Sequence, residues 1–333
     1  MADKVRWGIL STANIGRRAV TPALKAAGNC EVVAVASRNA SAASGYAAEL
    51  GIERHYGSYE ELLADPAVDA IYNPLPNSLH HEWTLKALNA GKHVLCEKPL
   101  GMNAQECLSM HEAARSSGRR LMEAFMYRFH PRTRRALEHL KEQRLGKLKL
   151  VRSSFTFSVT NPSNIRLQPE LGGGALMDVG CYCVNVSRTL VGSEPLEAQA
   201  FAVWSDKGVD NELLGVLRFE NDVFAQFHCA LDSFRQEFLE VVGDEGRMRL
   251  DKAFLPGTAD TVISSTTQSA GEVNEFISGV DEYRLMVEEF ADCLLTGAEP
   301  RYDAREAAAN MAAIEALYRS ARAGGRPEAV ARV

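Results

Sequence analysis

Over the first third of the chain, short apolar runs alternate with stretches of helical period. Val5 to Leu10 reads as a strand, followed by Ser11-Thr12-Ala13-Asn14-Ile15-Gly16 and a helical stretch to about Ala27. Glu31 to Ala36 is a second apolar run, closed by Ser37-Arg38-Asn39. Ser58-Tyr59-Glu60-Glu61 has capping-box spacing and opens a short helix. Asp69 to Tyr72 is a further strand, ending at Asn73-Pro74-Leu75-Pro76-Asn77, where Asn77 can cap a helix that runs to Gly91. His93 to Cys96 reads as a buried strand. Glu97-Lys98-Pro99 ends it, because proline cannot continue a central ladder and holds its predecessor extended. Asn103-Ala104-Gln105-Glu106 starts a helix that closes near Gly118, and Arg120 to Ala124 is the next strand. Strand and helix alternating in this way predict a parallel, doubly wound sheet.

From Lys147 the pattern changes to long alternating runs: Leu148 to Val159, Glu197 to Trp204, Leu213 to Phe219, Val223 to Leu231 and Phe238 to Val242. Asn221-Asp222 and Gly243-Asp244-Glu245-Gly246 read as turns between neighbouring strands. These runs predict a largely antiparallel sheet in a second domain, with helices at Glu282 to Leu295 and Asp303 to Ala323 closing the chain. The fold class is therefore α/β, with domains at residues 1–123 and 124–333.

Between the first two strands of the second domain, a helix from about Ala175 to Val191 follows three glycines, Gly172, Gly173 and Gly174. Val179, Cys183, Val186 and Leu190 make its apolar stripe, and Asp178, Tyr182 and Asn185 fall on a separate polar face. Gly180 inside the helix costs up to about 1 kcal/mol relative to alanine, so packing or a ligand should compensate. Pro131 is placed as the first residue of another helix, after the aromatic and basic knot Phe125 to His130.

Composition narrows the function classes. A chain of 333 residues with 46% hydrophobic and 24% charged residues has a composition ordinary for a soluble globular enzyme. A net charge of -6 argues against a nucleic-acid partner and leaves no basic membrane face. No apolar run is long enough to span a bilayer. The 7 cysteines are scattered without zinc spacing, so no metal is expected and reduced thiols in the cytoplasm fit best. The strand at Val5 leaves no room for an apolar leader before it, which points the same way.

Four loops carry candidate chemistry. Ser11 to Gly16 sits where a dinucleotide fold has GxGxxG; only Gly16 remains, with Ser11 and Ala13 small enough to let the backbone approach a pyrophosphate. Ser37-Arg38 stands where an NAD site carries an acid, and a hydroxyl with a guanidinium suits the 2′-phosphate of NADP instead. His80, one turn into its helix, either faces the cofactor or lies at the surface. Lys98, at a strand's carboxyl end, lies where open α/β sheets bind ligands. Oxidising an alcohol needs a base for the hydroxyl proton, and a tyrosine serves once a lysine cation lowers its pKa of about 10. Lys98 and Tyr182 fit as partners, with Asp178 orienting substrate or holding the lysine charged.

The stretches WGILSTANIG at 7–16, VASR at 35–38, PLPNSLH at 74–80, CEKPL at 96–100, EAFMYRFHP at 123–131 and GGGALMDVGCY at 172–182 appear in order over both domains. Together they resemble the glucose–fructose oxidoreductase / inositol dehydrogenase / MocA-like family. Tyrosine at position 182 is similar to the dimeric dihydrodiol dehydrogenase and NADP-dependent sugar dehydrogenase branch. The resemblance implies an N-terminal Rossmann domain and a second α/β domain with an open sheet. It implies Lys98, Asp178 and Tyr182 as catalytic residues, with Tyr127 and His130 beside them at the substrate. It places Ser11, Thr12, Ala13, Asn14, Ile15, Ser37, Arg38, Pro74, Leu75, Asn77, His80, Glu97, Lys98, Arg128 and Arg166 around NADP, with NAD as the alternative, and a cis bond before Pro99. The expected reaction is hydride transfer between NADP(H) and a CH–OH or C=O group of a sugar, polyol or cyclic diol. A homodimer or homotetramer is expected. The alternatives are an NADP(H)-sensing regulator without turnover and an NAD-dependent glycosidase.

Overall fold

The computed structural model describes residues 4–333. In chain order the first elements are β1 (Val5–Leu10), α1 (Thr21–Ala26), β2 (Cys30–Ala36), α2 (Ala40–Leu50), β3 (Arg54–Tyr56), α3 (Tyr59–Ala64), β4 (Ala70–Asn73), α4 (Asn77–Asn89), β5 (His93–Cys96), α5 (Ala104–Ser117) and β6 (Leu121–Glu123). There follow α6 (Pro131–Lys141), β7 (Leu148–Ser158), α7 (Cys181–Val191), β8 (Glu197–Trp204), β9 (Asp210–Arg218), β10 (Phe224–Ala230), β11 (Asp232–Gly243), β12 (Gly246–Asp251), β13 (Thr261–Thr267) and β14 (Gly271–Ile277). Last come α8 (Glu282–Thr296), α9 (Ala304–Arg322) and the short β15 (Glu328–Ala329). Among the described residues no helix is long and apolar enough to cross a membrane, and no group of three or more His, Cys, Asp or Glu could hold a metal ion.

The chain divides into two compact units. One is the chain up to Met126 with Asp281–Ala308, and the other is Tyr127–Val280 with Ala309–Val333. The first unit holds a six-stranded parallel sheet in the order β3-β2-β1-β4-β5-β6, the strand order of the Rossmann fold. Every residue of β4 is buried, as helices on both faces require. The order reverses between β1 and β4, and the loops leaving these two strands border the resulting crevice. A π-helical turn, Gly16–Val20, leads into α1. A Cβ on Gly16 would lie 3.0 Å from the Tyr46 hydroxyl, so glycine lets this turn sit close to α2.

The sequence pattern places the helix from Glu282 to Leu295 in the second domain, whereas α8 packs with the first unit. Trp7 of β1 meets Phe290 at 6.0 Å between ring centroids. Asn29 donates to the Glu288 carbonyl at 2.9 Å and to Asp292 at 2.7 Å. Arg120 donates to the Gly297 and Ala298 carbonyls at 2.7 and 2.9 Å, which satisfies acceptors that the end of α8 leaves open.

The second unit holds a nine-stranded sheet in the order β14-β13-β12-β11-β7-β10-β9-β8-β15. Its pairs are antiparallel except β7 with β10. The alternating runs predict β7 to β11 to within a few residues, apart from the longer start of β11. The turn read at Gly243 to Gly246 implies a strand where β12 begins, but the pattern gives no hint of β13 or β14. β13 is half-buried but mostly Ser and Thr, and β14 is largely open to solvent, so neither carries the period-two apolar signal; their ladder, from Thr261↔Ile277 to Thr267↔Gly271, is set by backbone pairing.

Candidate functional site

In the first unit, the predicted cofactor residues gather at the carboxyl ends of four parallel strands. Ser11 follows β1 with a φ of 76°, in the left-handed region where the dinucleotide fingerprint has its first glycine. That conformation costs a serine about 1 kcal/mol or more. It is held by Ser11 N–H donating to the Ala36 carbonyl at 2.8 Å and by Ser11 Oγ accepting from Ala13 N–H at 3.3 Å. The loop therefore keeps a glycine's backbone course without the glycine. Ser37 follows β2 and accepts the Asn39 N–H, while Asn39 caps α2. Arg38 is exposed beside Tyr59, whose phenol burial raises and the guanidinium lowers. A main chain shaped for a pyrophosphate and an exposed guanidinium after β2 fit an NADP-type dinucleotide.

Pro74, Leu75 and Asn77 follow β4. Asn77 does not cap α4: it is the first helical residue, the cap position is Pro76, and no side chain caps it. His80 does not lie at the surface either. It is fully buried, with Nδ1 2.8 Å from the Pro99 carbonyl and Nε2 2.8 Å from the Leu75 carbonyl. Burial pushes its pKa down to about 4, against the pull of the two carbonyls.

The chain leaving β5 is gripped on several sides, and its Lys98–Pro99 bond is cis. Glu97, for which the sequence offered no role beyond a cofactor neighbour, accepts from Tyr72 Oη at 2.7 Å and from Lys98 N–H at 3.4 Å. Its own N–H donates to the Asn73 carbonyl at 3.0 Å. Burial, then the Glu97 carboxylate, push the Tyr72 phenol well above its ordinary pKa. Glu123, at the end of β6 and buried, accepts the Leu100 N–H at 2.8 Å. Lys98 itself is half-buried at the carboxyl end of β5.

In the second unit, Asp178 lies in a π-helical turn, Leu176–Gly180, that runs into α7. The turn inserts a residue into the α period between Asp178 and Tyr182, so the spacing of the polar face read for Asp178, Tyr182 and Asn185 is not that of a regular α-helix. Tyr182 and Asn185 are buried. Tyr182 packs among Phe155, Phe254 and Tyr127 at centroid distances of 5.5, 5.5 and 6.0 Å. Asn185 Oδ1 accepts from Tyr127 Oη at 2.6 Å and Arg128 Nε at 2.7 Å, which draws both residues inward. Arg166 donates from Nε to Asp178 at 2.6 Å, a pairing the spacing of the sequence does not reveal. His130 is buried and caps α6, accepting the Arg132 N–H on Nδ1 at 3.0 Å, and burial pushes its pKa down to about 4.

The glycines before this helix are explained by packing. A Cβ on Gly173 would lie 2.4 Å from the Arg166 carbonyl oxygen, one on Gly180 would lie 2.8 Å from Cys229 Sγ, and Gly174 has a φ of 125°. Beside Gly174 lies Asp210, the first residue of β9, which sequence reasoning missed. Its carboxyl accepts the Leu176 N–H and the Tyr318 hydroxyl, each at 2.7 Å, and so anchors the start of the helix that carries Asp178 and Tyr182. An acid at a strand start carries no signal in the sequence.

A family model described as an oxidoreductase family with an NAD-binding Rossmann fold matches residues 5–125, and one for the GFO/IDH/MocA C-terminal domain matches residues 133–249. The chain is 41% identical over 324 residues to an NADP(+) D-xylose 1-dehydrogenase of Haloferax volcanii, covering 97% of this chain and 99% of the relative. It is 38% identical to a trans-1,2-dihydrobenzene-1,2-diol dehydrogenase of Danio rerio over 74% of each chain. Among solved structures, a 3-ketoreductase of Actinomadura kijaniata in complex with NADP and TDP-benzene superposes with a TM-score of 0.91 at 30% identity, covering 96% of this chain and 98% of the other.

The Asp210 carboxyl sets a pH dependence. Burial pushes its pKa up to about 6, against the two hydrogen bonds that favour the anion. Unfolded, an aspartate ionises near 4, so between about 4 and 6 the folded chain binds more protons. The resulting stabilisation is full below about pH 4 and is lost as pH rises through 6, on the order of 3 kcal/mol in all. Thermal unfolding over this range should fall less steeply with rising pH in Asp210→Asn than in the unaltered protein.

Proposed function

Because the chain belongs to the GFO/IDH/MocA oxidoreductase family, we propose that it transfers hydride between NADP(H) and the CH–OH or C=O group of a sugar or cyclic diol. The observation that carries this reading is the interval between Lys98 and Tyr182. Solved variants of the Actinomadura 3-ketoreductase replace one lysine and one tyrosine separated by the same number of positions. Relatives named as a xylose dehydrogenase and a dihydrodiol dehydrogenase support the substrate class.

Ser11 to Ile15 would hold the pyrophosphate, and Ser37 with Arg38 the 2′-phosphate, with Pro74, Leu75, Asn77 and Glu97 alongside. Bound NADP(H) supplies the hydride donor or acceptor. In the oxidative direction Tyr182 Oη takes the hydroxyl proton; in the reductive direction it returns one to the carbonyl oxygen. A phenol with a pKa of about 10 is a poor base at neutral pH. A lysine ammonium ~4 Å away is worth on the order of 1 kcal/mol in water and ~4 kcal/mol near a protein surface, which lowers that pKa by roughly one to three units. Lys98 fills that role in this reading. Asp178, steadied by Arg166, orients a substrate hydroxyl. Tyr127, Arg128 and His130, being tied up in Asn185 and the cap of α6, support the site rather than touch the ligand.

We also propose a homodimer or homotetramer formed through the nine-stranded sheet. Phe201 of β8 and Leu214 of β9 face each other in register and are 58% and 53% exposed, with Val203 close by. Contiguous apolar area of this kind calls for a partner. Free thiols, all but Cys293 buried, suit a cytoplasmic location.

Tyr182→Phe and Lys98→Ala should each lower kcat by about 100-fold or more while NADP(H) still binds, read by steady-state kinetics over aldoses, inositols and cyclic diols and by fluorescence titration. Full turnover in either variant sinks the catalytic assignment. Arg38→Ala should shift the preference for NADP+ over NAD+ towards NAD+ by about 10-fold or more, the loss of one charge-assisted bond. Light scattering at micromolar concentration should give a dimer or tetramer; a monomer excludes the sheet interface.

A further inference from the structure

The Pro99 carbonyl and the Leu100 N–H belong to one peptide group, one residue beyond Lys98. Its oxygen faces His80 Nδ1 at 2.8 Å and its N–H faces Glu123 Oε1 at 2.8 Å. The two side chains come from different elements, α4 and the end of β6. Both are buried, at 0% and 2% exposure. We propose that His80 and Glu123 are a pair of positioning residues that hold the Pro99–Leu100 peptide at its two poles and so fix where Lys98 stands.

The polarity matches at each end: a ring N–H meets the carbonyl and a carboxylate meets the amide. Burying an imidazole and a carboxyl costs free energy that an apolar pair would not, and the two bonds to the peptide return part of it as fixed geometry. A single peptide held at both poles cannot rotate without breaking one bond. Pro99 is thereby held, and with its φ fixed by the ring it restrains Lys98, to which it is bonded. Displacement of a reacting group by about 1 Å costs about 100-fold in rate, so a peptide flip here would be felt at Lys98. A neutral imidazole donates to only one of its two carbonyls, so the inference requires the proton on Nδ1.

The inference rests on the reading of Lys98 as a group in the reaction, and its test separates the two. In the unaltered protein, ¹⁵N NMR of His80 should show a protonated Nδ1; an unprotonated Nδ1 overturns the inference whether or not the protein turns over any substrate. In kinetics, His80→Phe and Glu123→Leu should each lower kcat by about 100-fold while the Kd for NADP+ stays within about threefold. His80→Asn and Glu123→Gln, which keep a donor and an acceptor, should recover most of that loss. The double variant His80→Phe/Glu123→Leu should lose no more than the worse single one, since both act on one peptide. Unchanged kcat in the apolar variants, a parallel loss of cofactor affinity, or no recovery in the polar variants overturns it. If the apolar variants do not fold, the ¹⁵N result and the activity of the polar pair still decide: loss of activity in both His80→Asn and Glu123→Gln counts against it. Lack of hydride transfer by the unaltered protein, with Nδ1 protonated, removes the proposed function and leaves the peptide clamp standing.

Discussion

A buried peptide group must find partners for both its N–H and its C=O, and at a strand end the ladder no longer supplies them. The chain leaving β5 meets this constraint with side chains. Glu97 takes the Tyr72 hydroxyl, His80 reaches the Pro99 carbonyl and Glu123 takes the Leu100 N–H. These side chains come from β4, α4 and β6, the elements around β5, so the loop's shape is a property of the whole carboxyl edge of the sheet. The loop that carries Lys98 is thereby held from several elements at once. The second unit solves a related problem with different means. There Asp210 takes the first free N–H of the helix that carries Asp178 and Tyr182, and glycines let the Arg166 carbonyl and Asp210 come close enough to do so.

Much of this is legible in the sequence, for a reason specific to each element. The parallel strands are visible because both faces are buried, which writes continuous apolar runs such as Val5 to Leu10 and Ala70 to Tyr72. Lys98 and Tyr182 stand out because they interrupt predictable patterns at places where chemistry is expected. β13 and β14 are invisible because backbone pairing, with little apolar burial, holds them.

The candidate site is legible in its residues and not in its contacts. Sequence spacing correctly gathers Ser11, Ser37, Pro74 and Lys98 at strand ends, since parallel βα units always deliver those loops to one edge. It cannot say that His80 turns inward to two carbonyls, because a histidine one turn into a helix has the same local pattern whether it points to solvent or to the core. The Asp178–Arg166 pair depends on a loop whose course only the tertiary structure fixes. The π turn at Leu176–Gly180 alters the phase of the helix without altering any residue that would announce it.

The return of α8 to the first sheet has a consequence for how the protein is made. The Trp7 face of β1 emerges from the ribosome early, yet Phe290 is synthesised only after eight of the nine strands of the second sheet. Domains usually fold as units during synthesis, N-terminal first. Here the first unit must wait, with part of its apolar surface uncovered, for a segment near the end of the chain. Its completion is therefore a late event, and an N-terminal fragment ending at Met126 would lack one of its own walls.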